Sequence, residues 1–291
     1  MKPSRSEFHQ IRGIRHHVRL WGDANNPKLF LLHGWMDVSA SFQFLVDAFK
    51  QDWLVIAPDW RGFGLSEWAH EGYWFQDYYA DLDALIDIYS PGKPANIVGH
   101  SMGGNVACTY SGIRPARVEK LISLEGFGMG RSKPEMAPER YERWLDDLKQ
   151  PPALRPYASF DAVAERLRKN NSRLTEVKAQ FLARHWARQA DGGGVALCFD
   201  PRHKMVNPVL SRLDELIACW QRVTCPVLWV LTNEADPRGW RKDTPAQFQQ
   251  RKQAFRNFSE ITLEDSGHMM HHDQPQKLAE IIEDFLSRKE K

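Results

Sequence analysis

At 291 residues the chain is long enough for one α/β domain with an insertion, and its 42% hydrophobic content supports a sizeable buried core. A formal net charge of +2 excludes the strong field that would point to nucleic acid or an anionic lipid surface. There is no run of about 18 apolar residues, so no membrane span is expected.

In chain order, the opening MKPSRSEFHQ lacks the apolar stretch of a signal peptide, which sets the expectation of a cytoplasmic protein. The four cysteines, Cys108, Cys198, Cys219 and Cys225, include no CxxC pair and fit free thiols in that compartment. EFHQIRGIRHHVRLWGD, with Gly13 between two mixed stretches, predicts a hairpin. Short apolar runs then recur: LFLLHG (29–34), WLVIAPD (53–59), NIVGHS (96–101), KLISLEG (120–126), PVLWVLT (226–232) and EITLED (260–265). Such runs read as strands buried on both faces. Between them, Phe75, Tyr78, Tyr79, Leu82, Leu85, Ile86 and Tyr89 fall at helical spacing, and Leu278, Ile281, Ile282, Phe285 and Leu286 do the same near the end. Strand alternating with helix predicts an α/β fold, a mostly parallel sheet with helices on both faces. Residues 127–222 break the alternation with helical patterns, several prolines, one weak strand candidate (VALCF) and GGG at 192–194, read as a flexible joint. They predict a helical cap inserted into a core made of 1–126 and 223–291.

Chemistry concentrates at Gly99-His100-Ser101-Met102-Gly103, a G-x-S-x-G sequence that follows a strand run and opens a helical one. That strand–turn–helix setting is what a nucleophile elbow requires. The flanking glycines keep side chains out of a crowded bend. A serine hydroxyl still needs a base, a group to orient that base, and donors for the oxyanion. The backbone N–H groups of Trp35, just past the strand end in LLHGWMD, and of Met102 are the expected oxyanion donors. Gly126-Phe127-Gly128-Met129-Gly130 is no dinucleotide fingerprint, because Arg131 stands where its last glycine belongs. There is also no GxxxxGK[ST] loop.

LFLLHGW, APDWRGFGLS, NIVGHSMGG, PVLWVLTNEADP and DSGHMMHHDQPQKLAEIIEDFL, in this order, resemble the α/β-hydrolase fold superfamily across nearly the whole chain outside the insertion. The resemblance implies an eight-stranded, mostly parallel sheet with a cap after the sixth strand. It also implies a catalytic triad in the order serine, acid, histidine. His268, after Ser-Gly, takes the place of the base. Asp236 stands where the family commonly carries its acid, although Asn233 replaces a usual glycine there. Glu125, at the end of LISLEG, is the alternative acid. His33, Asp59 and Arg61 are expected to brace loops, and His271 and His272 to be surface or structural. His268, His271 and His272 lack a nearby carboxylate or cysteine set, so no metal is expected.

These residues predict a serine hydrolase acting on a small apolar or aromatic carboxylic ester through an acyl-enzyme, with Ser101, His268 and Asp236 as triad. Serine at the nucleophile position argues against the dehalogenase and epoxide hydrolase chemistry of relatives that use aspartate there. Met36, His100, Phe127, Met129, Trp144 and Trp186 are candidate pocket residues. The expected partner is a small-molecule substrate, with no cofactor, nucleic acid or membrane; the oligomeric state stays open. Two alternatives remain: a cofactor-independent dioxygenase of the same fold, and a small-molecule sensor with slow hydrolysis.

Overall fold

The fold is described from a computed structural model that covers residues 1–234 and 244–288. The chain opens with the hairpin β1 (Ser4–Ile11) and β2 (Ile14–Trp21). Arg12 and Gly13 make its two-residue turn, both with positive φ (49° and 79°), the backbone twist that tight hairpins need. Then come β3 (Lys28–Leu32), α1 (Gln43–Ala48), β4 (Leu54–Pro58), α2 (Phe75–Tyr89), β5 (Ala95–His100), α3 (Met102–Ile113) and β6 (Val118–Leu124). After a long excursion the core resumes with β9 (Val227–Thr232), α8 (Pro245–Gln253), β10 (Phe258–Leu263), α9 (Met270–Asp273) and α10 (Pro275–Ser287).

The strands form one eight-stranded sheet in the order β1-β2-β4-β3-β5-β6-β9-β10. The β1–β2 and β2–β4 pairs are antiparallel and all later neighbours are parallel. Side chains that alternate along each strand feed two separate cores. Phe30 and Leu32 of β3 point into the layer shared with Leu82 and Leu85 of α2 and Val106 of α3. Leu29 and Leu31 point the other way, to Leu45 of α1 and to Leu278 and Ile282 of α10. This burial on both faces explains why the strands read as continuous apolar runs.

The excursion between β6 and β9 holds α4 (Ala137–Lys149), α5 (Phe160–Asn170), α6 (Glu176–Trp186), β7 (Ala187–Gln189), β8 (Val195–Leu197) and α7 (Leu213–Trp220). α5 and α6 enclose an apolar cluster of their own around Val163, Leu167, Leu182 and Ala183. The GGG stretch closes the β7–β8 hairpin instead of acting as a free joint. Ala190 N–H donates to Gly194 O (3.0 Å), Gly193 N–H donates to Ala190 O (3.0 Å), and Gly193 and Gly194 supply the positive φ. The last helix, α7, lies against α3 and buries Trp220 in the main core, apart from α5 and α6. Among the described residues, no helix is long and apolar enough to cross a membrane.

Candidate active site

Ser101 sits between β5 and α3 with φ 52° and ψ −114°, a conformation a non-glycine residue adopts only under constraint. The constraint is local. Its N–H donates to Leu124 O of the neighbouring strand (2.8 Å), and its carbonyl accepts from Asn105 N–H in α3 (3.0 Å). A Cβ on Gly103 would run into the backbone carbonyl of Leu32, and one on Gly99 into that of Gly103. Both glycines therefore let α3 press close enough to the sheet to hold the bend. Met102 opens α3, so its N–H belongs to the first turn, which has no acceptor inside the helix.

The strand end beside the elbow is built around His33. Its Nδ1–H donates to Gly34 O (2.7 Å), while its Nε2 accepts Trp60 N–H (2.9 Å) and its carbonyl accepts Trp60 Nε1–H (2.9 Å). With both ring nitrogens engaged and the ring fully buried, His33 braces the loop. Burial pushes its pKa down, against the upward pull of Asp37 and Asp59. Asp59 and Arg61 also brace: Asp59 accepts from His17, Ser39 N–H and Leu65 N–H, and Arg61 grips Asp81 through two nitrogens at 2.6 Å.

His268 lies in the loop between β10 and α9, its side chain one quarter exposed. The Glu125 carboxylate, at the end of β6, is 3.7 Å from His268 Nδ1. That is an ion-pair separation, slightly long for a hydrogen bond, as resting catalytic pairs often are. Glu125 has φ 53°, its Oε1 accepts Thr232 N–H (2.9 Å), and its side chain is 6% exposed. Strand end, acid and histidine are thus fixed to one another by the sheet. Asp236, the acid expected first, lies outside the described residues.

Ser101, Glu125 and His268 all line one cavity of about 1030 Å³, together with Trp35, Met102, Phe127, Met129 and Trp144. The other three expected pocket residues are elsewhere. Met36 packs on the main core, His100 is 1% exposed, and Trp186 directs its Nε1–H to Ser41 Oγ (3.1 Å). Trp60, Phe63 and Trp220 are core residues, each fully buried. Sequence reasoning missed Arg140 and Leu148, which share the wall with Trp144 at four-residue steps along α4. That spacing marks one helix face and was readable. It also missed Tyr73, Tyr78 and Tyr79. The wall behind Phe127 is held by Arg251 of α8, fully buried, which donates to the carbonyls of Phe127 (2.8 Å) and Met129 (3.2 Å).

Of the three C-terminal histidines, His268 faces the cavity, whereas His271 and His272 are 0% and 3% exposed, buried rather than on the surface, and pack ring against ring with centroids 4.3 Å apart. His271 also groups with Asp37 and His100.

The family model for the alpha/beta hydrolase family matches residues 29–281, and the chain belongs to that family. A "serine hydrolase-like protein" of Danio rerio is 27% identical over 98% of this chain and 90% of its own length. Among solved structures, a thioesterase domain from the curacin biosynthetic pathway has a TM-score of 0.84, covering 96% of this chain and 99% of that domain at 23% identity. E-2-(acetamidomethylene)succinate hydrolase has a TM-score of 0.76, covering 98% of this chain and 100% of that one at 20% identity. At such identities these two structures speak for the fold alone. Membership of the alpha/beta hydrolase family supports hydrolase activity.

Proposed function

We propose that the chain is a serine hydrolase that cleaves carboxylic esters with an apolar or aromatic acyl group through an acyl-enzyme. Ser101 Oγ attacks the carbonyl carbon as His268 Nε2 takes its proton. Glu125 holds the imidazole tautomer through Nδ1–H and stabilises the imidazolium. The tetrahedral oxyanion is met by the N–H groups of Trp35 and Met102. His268 returns the proton to the leaving oxygen, the C–O bond breaks, and water repeats the sequence to free the acid and Ser101. The observation that carries this reading is that a strained serine, a histidine and a buried carboxylate 3.7 Å from that histidine open on one cavity.

The aromatic wall supports an apolar acyl group, and the volume admits more than a short-chain ester. The segment 127–222 acts as a cap in this reading, with α4 covering the cavity mouth. The test is intact-mass analysis after treatment with a fluorophosphonate. One adduct on wild type and none on Ser101→Ala is the expected result, followed by turnover of aryl or long-chain esters. A wild type that stays unlabelled and inert toward the ester panel overturns the proposal.

A further inference from the structure

Beside His268 lies a buried polar cluster that acyl transfer does not use. Asp37 follows β3, His100 ends β5, and His271 belongs to α9; they are 2%, 1% and 0% exposed. One ligand-capable atom from each lies within 4.8 Å of the others. Asp37 Oδ1 is engaged, accepting Val38 N–H (2.8 Å) and the Ser41 hydroxyl. Asp37 Oδ2, His100 Nδ1 and both nitrogens of His271 make no hydrogen bond among the described residues. His271 Nε2 and Asp37 Oδ2 are 3.7 Å apart, an ion-pair separation like that of Glu125 and His268 and longer than a hydrogen bond, while His100 Nδ1 and His271 Nδ1 have no partner among the described residues. A buried polar atom left without a partner is destabilising, so a convergent set of them calls for a shared partner.

We propose that Asp37, His100 and His271 bind a divalent first-row transition-metal ion, with Zn²⁺ as the reference case. The donor set, two imidazoles and a carboxylate, suits such an ion and not Mg²⁺ or Ca²⁺, which prefer oxygen throughout. The size is close. Three atoms within 4.8 Å of one another lie no more than about 2.8 Å from a common centre, against metal–ligand bonds of roughly 2.0–2.2 Å. Small inward rotations of the side chains close the difference. The surrounding bonds already match those of a metal-binding shell. His100 Nε2–H donates to His268 O (2.8 Å), which leaves Nδ1 as the lone-pair nitrogen, and Asp37 is oriented by its other oxygen. His33 is excluded, both of its nitrogens being taken. The ion would join the strand end after β3, the elbow strand and the helix after His268, with water as fourth ligand. It is a structural site and stands independently of the hydrolytic mechanism.

The test uses the full chain without a histidine tag, produced in zinc-supplemented medium and desalted. Metal content by mass spectrometry is expected at about one ion per chain in wild type and in Ser101→Ala, and at least tenfold lower in Asp37→Asn and His271→Gln. Chelator-stripped wild type loaded with Co²⁺ should develop visible d–d bands. So that the decision does not depend on the folding of either variant, wild-type crystals carry it. An anomalous peak at the zinc edge between the three side chains supports the site. Wild type that takes up neither ion, an ordered water with no anomalous signal there, or an ion lodged elsewhere overturns it.

Discussion

Glu125 is where a single residue decides most. Its backbone is in the left-handed region, and its carboxylate accepts Thr232 N–H and lies 3.7 Å from His268 Nδ1. Glu125→Gln keeps the side chain's size and the acceptor for Thr232 but removes the charge that stabilises an imidazolium. On the proposed mechanism kcat should fall about 10³–10⁴-fold with KM little changed. Asp236→Asn should leave kcat within about tenfold. Steady-state kinetics on both variants checks this, and the opposite ranking would return the role to Asp236. Both acids were visible in the sequence, each at a strand end, and the resemblance placed Asp236 first. What the sequence could not give is the 3.7 Å separation between Glu125 and His268, which is set by how β6 and the loop after β10 lie together. The Asp37–His100–His271 group was hidden for the same reason. Its members come from three distant stretches, and nothing in HGWMD or GHMMHHD alone says that they meet. His271 and His272 were expected to be surface or structural, and their short helix turns them inward, off the surface, against Phe42 and Phe44.

At the scale of elements, the strands were legible because a parallel sheet buries both faces and so needs unbroken apolar runs. Each run was found within a residue or two of the strand it forms, including β3 at Lys28–Leu32 and β9 at Val227–Thr232. The excursion was harder. Its helices face the core with one side only, and α4 turns Arg140, Trp144 and Leu148 to the cavity while burying none of its residues fully. Pocket residues there could not be told from ordinary surface without knowing where the cavity lies. The approach of α3 to β3 gives the element-scale prediction. Gly103→Ala places a methyl against the carbonyl of Leu32, and neither backbone can yield without shifting the elbow. Overpacking of this kind costs about 1–3 kcal/mol, so the melting temperature should drop by roughly 2–5 °C. Fluorophosphonate labelling should slow with it, because Ser101 and Met102 N–H are carried by the same turn. An alanine variant with unchanged melting and labelling rate would show that the close packing at Gly103 does not hold the elbow.

Across the whole molecule, the buried histidines set how the fold responds to acid. His33, His100 and His272 are fully or nearly fully buried, and burial is the main reason each is held below its usual pKa. His203 is stacked between Phe63 and Tyr73, with ring centroids 3.9 and 3.6 Å away, and burial takes its pKa down to about 3. In the unfolded chain each of them binds a proton as pH falls through about 6.5, while in the folded chain each stays neutral until lower pH. The unfolded state therefore binds more protons, and stability falls with pH at up to about 1.4 kcal/mol per pH unit for each such histidine. The buried carboxylates act in the same direction but later. Burial pushes Asp59 and Asp81 upward, but their histidine and arginine partners and hydrogen bonds outweigh it and leave both lowered. Their contribution is present above about pH 4 and is lost as pH falls below it toward their folded values. The two sets together predict that acid sensitivity begins near pH 6.5, well above the carboxylate range. Thermal melts between pH 8 and 5 should be level down to about pH 7 and then fall by at least roughly 5 °C by pH 5. A melting temperature that held steady to pH 5 would mean that the folded and unfolded chains take up the same number of protons over that range, and that these imidazoles are not held neutral by burial.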